Sequence, residues 1–354
     1  MIKVLGLSLY GNLAASTRYR LEYYGVELKE YGIDLEISSL LSNEYLLARY
    51  SKSHIPWLSL IRNGFLRFWL LLKYRQYDLI IIYGELFPFL PKQIERCLIN
   101  IPYIYDFDDA FYLKYQQGLM AKLLAPFLQG KIEQLITRAS AVTAGNLYLK
   151  NYAVGLNRNT VFLPTVVDTG KFNNLKIPKN NFFTIGWIGS PSTRIYLNEI
   201  IEPLKLIAKQ SPIKLMVVGA RAPKIPGIII EEISWSDDTE VELINSFDVG
   251  IMPLFNDNWA RGKCAFKLIQ YMSCGVPVIA SRIGANIDVV TPDCGFLVQS
   301  KDDWIDAISS LRDDPIMRES MGLAGRQRVL QNYSYKVNAP MLAKIIFENL
   351  KNYL

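Results

Sequence analysis

The chain has 354 residues, half of them apolar, with 39 basic and 33 acidic side chains and a net charge of +6. That length exceeds what one compact core usually holds, and that apolar fraction excludes a disordered chain, so two ordinary domains are expected. Cys97, Cys264, Cys274 and Cys294 are scattered without the spacing of a zinc site or a disulfide framework, which fits a reducing compartment. The N-terminal MIKVLGLSLYG leads into polar residues and reads as a first strand, not a signal peptide, and no stretch reaches a clean membrane-spanning length.

In chain order, Ile2 to Leu9 and Leu35 to Leu40 are apolar runs that predict strands. Tyr45 to Tyr77 follows, with no Asp or Glu but with Arg49, Lys52, Arg62, Arg67, Lys73 and Arg75. These six cations are the whole charge excess, because elsewhere basic and acidic residues balance at 33 each. The same window holds Trp57, Leu58, Phe65, Phe68, Trp69 and Leu72, so it predicts a helix that is apolar, aromatic and basic together. Such a helix can lie on an anionic membrane surface, while Arg62, Asn63 and Arg67 argue against spanning. The competing reading is a core helix with cationic side chains snorkelling at its rim. Nucleic acid is not an expected partner, since the cations are confined to one apolar patch.

Further strands are predicted at Asp78 to Tyr83, Tyr103 to Phe107, Ala141 to Ala144 and Val161 to Leu163. A linker rich in Pro, Asn and Lys then runs from Pro164 to Asn181. Strands recur at Phe183 to Ile188, Lys214 to Val218, Gly227 to Ile230, Asp248 to Pro253, Val276 to Ala280 and Gly295 to Val298, with helical patterns between them. This double alternation predicts two doubly wound, Rossmann-like α/β domains with parallel sheets.

Both halves open with a strand, a small-residue loop and a helix. Gly11, Ser16 and Thr17, with Arg18 and Arg20 after them, form the first loop; Gly189, Ser190, Thr193 and Arg194 form the second. Small residues admit a ligand to the backbone, and a helix start favours anions. Neither loop is a nicotinamide or ATP fingerprint. Loops at the carboxyl ends of two facing sheets would line a cleft. The densest chemistry is expected in RGKCAFKLIQYMSCGVPVIAS, Arg261 to Ser281, where Arg261, Lys263 and Lys267 flank a helix start suited to a diphosphate. A third cluster, YIYDFDDAFY, brings Asp106, Asp108 and Asp109 to one strand end. If that strand continues, Asp106 and Asp108 share a face, and crowded carboxylates raise one another's pKa.

From these residues the chain resembles the retaining glycosyltransferases of the family-4 type, glycosyl transferases group 1, which have the GT-B fold. The resemblance rests on PTVVDTGKF with Asp168 and Phe172, on DVGIMPL, on KCAFKLIQYMSCGVPVIAS and on GFLV. It implies an N-terminal acceptor-side domain over 1–165, a linker over 166–181, a nucleotide-sugar domain over 182–337, and a helix over 338–354 that crosses back to brace the first domain. It also implies transfer of a hexose from a nucleotide diphosphate sugar to a glycan or lipid-linked acceptor. Retention of configuration is implied too, with no metal and no cofactor besides the donor. In the family two glutamates stand eight positions apart in the gripping segment; here those positions align with Gly262 and Gln270.

The expected catalytic residues are Asp106, Asp108, Lys267 and Arg261. Donor contacts are expected from Gly11, Gly189, Ser190, Thr193, Arg194, Trp235, Lys263, Ala265, Phe266 and Gln270, with Trp235 beside the base. The expected location is cytoplasmic, peripheral on the inner face of the cell membrane. Two alternatives stay open: a catalytically inactive module that binds sugar nucleotide or a partner protein, and a nicotinamide-dependent oxidoreductase.

Overall fold

The computed structural model describes residues 1–50, 53–73, 76–99, 101–115, 125–174 and 181–351. Lys52, Arg75, linker residues 175–180 and residues 352–354 lie outside the described residues. The chain forms two compact units: Met1–Val166 with Gly262–Cys264 and Tyr335–Leu354, and Val167–Arg261 with Ala265–Ser334. This division differs from the expected boundaries at three places. The linker from 167 belongs to the second unit, Tyr335 already belongs to the first, and the tripeptide 262–264 leaves the second unit to join the first.

The first unit is built on six parallel strands: β1 (Ile2–Tyr10), β2 (Ile33–Leu41), β3 (Leu79–Tyr83), β4 (Tyr103–Phe107), β5 (Ala141–Ala144) and β6 (Thr160–Phe162). Their order is β2-β1-β3-β4-β5-β6. β1, β3, β4 and β5 are buried nearly throughout, as continuous apolar runs covered on both faces must be. The connection reverses direction between β1 and β3, which places a crevice at their carboxyl ends. The Tyr335–Lys351 helix packs on this unit: the Tyr335 ring meets Tyr24 edge-on at 4.9 Å, and its hydroxyl donates to the Tyr19 carbonyl at 3.1 Å.

The Trp57–Leu72 helix keeps its apolar face in solvent. Leu58 is 86% exposed, Phe65 73%, Trp57 67% and Trp69 57%, so this is no core helix. Arg67, one of the six cations of that window, is buried. Its guanidinium donates to the carbonyls of Ser8 at 2.9 Å, Ser38 at 2.7 Å and Leu86 at 3.4 Å, and burial pulls its pKa down. It fastens the helix to the carboxyl ends of the sheet and gives nothing to an outward face. Among the described residues no helix is long and apolar enough to cross a membrane.

The second unit repeats the plan with β7 (Phe183–Ile188), β8 (Ile213–Val218), β9 (Ile229–Ile233), β10 (Val249–Met252), β11 (Val278–Ser281) and β12 (Gly295–Val298). The order is β12-β11-β10-β7-β8-β9, all parallel, with the reversal between β7 and β10. Ile185, Trp187, Leu204, Ile251, Ile279 and Ile308 are buried in its core.

Candidate active site

In the second unit the loops after β7 and β8 touch backbone to backbone. Gly189 N–H donates to the Val218 carbonyl at 3.0 Å. Gly219, at φ 84°, is so close that a Cβ there would stand 2.5 Å from the Gly189 oxygen. The hydroxyls of this loop bond within it: Ser190 Oγ lies 2.8 Å from Ser192 Oγ, and Thr193 Oγ1 donates to the Ser190 carbonyl at 3.0 Å. Arg194 departs from its expected role. Its Nε donates to the Arg221 carbonyl at 2.7 Å and its Nη2 to Ala222 at 3.3 Å, so it ties the two loops together.

The gripping segment becomes the Phe266–Ser273 helix, entered through Ala265 at φ 55°. A left-handed alanine costs roughly 1–2 kcal/mol, a strain held by the surrounding packing, and it turns the chain sharply into the helix. The first-turn amides near Phe266 and Lys267 thus start a helix at the carboxyl end of the sheet, an arrangement that favours an anion. Lys267 Nζ stands 5.5 Å over the ring of buried Trp187, at the end of β7. Arg261 is exposed and donates through Nε and Nη2 to Asn256 Oδ1 at 3.3 and 2.9 Å.

Gln270 is buried, and its amide donates to Glu240 Oε1 at 3.1 Å. Half-buried Trp235 donates its indole N–H to the same oxygen at 3.0 Å. Glu240 was absent from the expected site, because it stands 30 positions from Gln270 and only the packing of the Glu240–Asn245 helix on the Phe266–Ser273 helix brings it in.

In the first unit, Gly262 lies against Ala110, where a Cβ would stand 2.7 Å from the Ala110 Cβ and 2.9 Å from its nitrogen. That contact leaves no room for a glutamate at this position. The Gly262 and Lys263 carbonyls both accept from Asn146 Nδ2, at 3.0 and 2.9 Å. Lys263 pairs with Asp109 at 3.7 Å within the first unit. Gly11, with Asn12, Thr17, Glu22, Ser39 and Asn43, lines a cavity of about 300 Å³ in the first unit.

The three carboxylates separate. β4 ends at Phe107, so Asp106 and Asp108 do not form one face. Asp106 is buried, paired with Arg20 through Nε at 2.9 Å and through Nη2, and it accepts from Thr143 Oγ1 at 2.6 Å. Arg20 also donates to the Leu163 carbonyl at 2.9 Å, so both groups tie the carboxyl ends of β4, β5 and β6 together. Arg18, the other cation of that loop, donates to the carbonyls of Asn12 and Leu13 at 2.7 and 3.2 Å. Asp108 lies past the strand end and accepts from the Tyr83 hydroxyl, while its carbonyl accepts from Cys264 Sγ at 3.0 Å. Burial pushes its pKa up from the ordinary 3.8 to about 6, against the opposing pull of Arg20. Among the described residues no group of three or more His, Cys, Asp or Glu is placed to hold a metal ion.

Comparison with known proteins places these units. Residues 182–314 match the family model described as Glycosyl transferases group 1. A GDP-mannose-dependent monoacylated alpha-(1-6)-phosphatidylinositol monomannoside mannosyltransferase of Corynebacterium glutamicum is 38% identical over 82 residues, 22% of this chain and 21% of that protein. The capsular polysaccharide biosynthesis glycosyltransferase CapM of Staphylococcus aureus is 25% identical over 193 residues, 49% of this chain and 46% of that one. The matched stretches thus span between about a fifth and a half of these relatives' lengths. Among solved structures, sucrose-phosphate synthase from Thermosynechococcus elongatus superposes with a TM-score of 0.72 at 14% identity, over 98% of this chain and 99% of that one. HepE of Anabaena in complex with UDP gives 0.65 at 14% identity, over 98% and 100%. Residues 182–314 are thus similar to the group 1 glycosyl transferases, and over its length the chain has the GT-B fold, two Rossmann-like units each carried by a six-stranded parallel sheet.

Proposed function

We propose that the protein transfers a sugar from a nucleotide diphosphate sugar to a glycan or lipid-linked acceptor, with retention of configuration and without a metal. The observation that carries this reading is the switch point of the second unit, where the Phe266–Ser273 helix start and Lys267, held over Trp187, stand at the end of β7. A helix start and an ammonium at that position would stabilise the negative charge that develops on a departing diphosphate. Arg261 adds charge at the rim. Relatives that use GDP-mannose or build capsular polysaccharide, and a structural neighbour that binds UDP, support the same chemistry. Asp108, beside the Tyr83 hydroxyl, is the group for the transferring sugar or the acceptor hydroxyl.

The exposed Trp57–Leu72 helix supports a peripheral place on an anionic membrane. Trp, Phe and Leu would enter the headgroup boundary, with exposed Arg62 and Lys73 against the lipid phosphates.

The test is a thermal-shift panel of UDP, GDP and ADP sugars followed by transfer assays. A ligand at a hundredfold its Kd adds about 2.7 kcal/mol to stability, so the true donor stands out. Lys267→Ala is expected to lower turnover roughly a hundredfold with the fold intact. No response to any nucleotide sugar, or full turnover in Lys267→Ala, overturns the assignment.

A further inference from the structure

One carboxylate oxygen in the second unit is shared by two donors, Gln270, which the family resemblance implies at the ribose, and Trp235, expected beside the base. Glu240 Oε1 accepts from Gln270 Nε2 at 3.1 Å and from Trp235 Nε1 at 3.0 Å, and Glu240 and Gln270 are each only 3% exposed. A carboxylate accepts and does not donate, so it decides which end of the Gln270 amide faces it. Among the described residues the amide nitrogen is the engaged end, which turns the carbonyl Oε1 away from Glu240 as a fixed acceptor. The same oxygen pins the indole of half-buried Trp235, five positions earlier in the chain.

We infer that Glu240 is a positioning residue that sets nucleotide selectivity in the second unit, by holding Gln270 as a hydrogen-bond acceptor for a ribose hydroxyl and Trp235 as a wall of the base pocket. The inference rests on the donor reading above. It supplies what the aligned Gln lacks: the negative charge of the pocket sits one residue back, on Glu240, and reaches the ligand through the amide. It also reverses the simplest expectation for position 270. Gln270→Glu would set two buried carboxylates about 3 Å apart, where like charges disfavour each other's ionisation. The variant that restores a family-like glutamate is therefore the damaging one.

The experiment measures Kd for UDP, GDP and ADP and for their 2′,3′-dideoxy forms by calorimetry, on the full chain, with melting temperature recorded alongside. Wild type is expected to prefer the ribose form of its nucleotide by roughly tenfold or more, the loss expected when a buried polar group is left without its partner. Glu240→Ala should erase that preference and widen the choice of base, and Gln270→Glu should weaken ribose binding by at least tenfold. The swapped pair, Glu240→Gln with Gln270→Glu, restores one carboxylate and one amide and should recover most of the affinity. A melting temperature that falls in Glu240→Ala while affinity and ribose preference stay at wild-type values overturns the inference and leaves the donor reading standing. So does a Gln270→Glu variant that binds as well as wild type. Wild type that binds none of the nucleotides overturns the donor reading itself.

Discussion

At the scale of single residues, two aspartates that stand two positions apart have different surroundings and carry different predictions. Asp106 neutralises a buried arginine, and its loss strands that charge, so Asp106→Asn is expected to destabilise the first unit by roughly 3 kcal/mol. Asp108 carries no such pair. Asp108→Asn is expected to fold normally, to bind donor normally and to lower the transfer rate about a hundredfold, the loss typical of a misplaced proton acceptor. Paired donor titration and kinetics check this, and a raised Kd with unchanged kcat would reduce Asp108 to pocket architecture. The sign of its pH effect follows from a carboxyl pushed up from 3.8 to about 6. Between those values the folded protein holds a proton that the unfolded chain has released, so this group's contribution to stability declines as pH rises through the window. Activity should move the other way, falling below about pH 6 as the acceptor becomes protonated, and that limb should vanish in Asp108→Asn.

At the scale of elements, the Trp57–Leu72 helix shows how a charge count misleads when one member is buried. Arg67 binds three carbonyls inside the first unit, so replacing it tests folding and not membrane contact. The informative variant is Arg62→Gln with Lys73→Gln, Trp57→Ser and Phe65→Ser, all on exposed positions. Each surface cation near anionic lipid contributes about 1 kcal/mol, and the aromatic side chains add burial. Wild type is expected to sediment with phosphatidylserine vesicles at low salt, to release partly at high salt and to bind neutral vesicles poorly. The quadruple variant should stay in solution with its transfer to a soluble acceptor intact. Equal sedimentation of both proteins overturns the membrane reading.

At the scale of the whole molecule, the chain leaves each unit and returns: Gly262–Cys264 and Tyr335–Leu354 belong to the first. Removing residues 335–354 takes away the Tyr335 ring and hydroxyl that cover Tyr24 and Tyr19. Loss of a buried aromatic costs about 3–5 kcal/mol, and a limited-proteolysis comparison should show the first unit of the truncated chain cleaved faster than the second. Unchanged protection would mean that the helix only rests on the surface. By itself the sequence determined both sheets, because strands covered on two faces must be continuous apolar runs, and β4, β5, β7 and β12 fall on their expected residues. The Arg261–Ser281 pattern is likewise contiguous in the chain, and it folds as the Phe266–Ser273 helix and β11. Only the tertiary structure decided which charges are bound within the fold. Arg20 and Arg194 stand at loops suited to anions and Arg67 in the basic window, yet each is bound to carbonyls or a carboxylate. Glu240 reads as one acid among many and meets Gln270 across 30 positions. Local pattern reports whether a side chain is apolar and how often that recurs; where a polar side chain finds its partner depends on segments distant in the chain, and only folding brings those together.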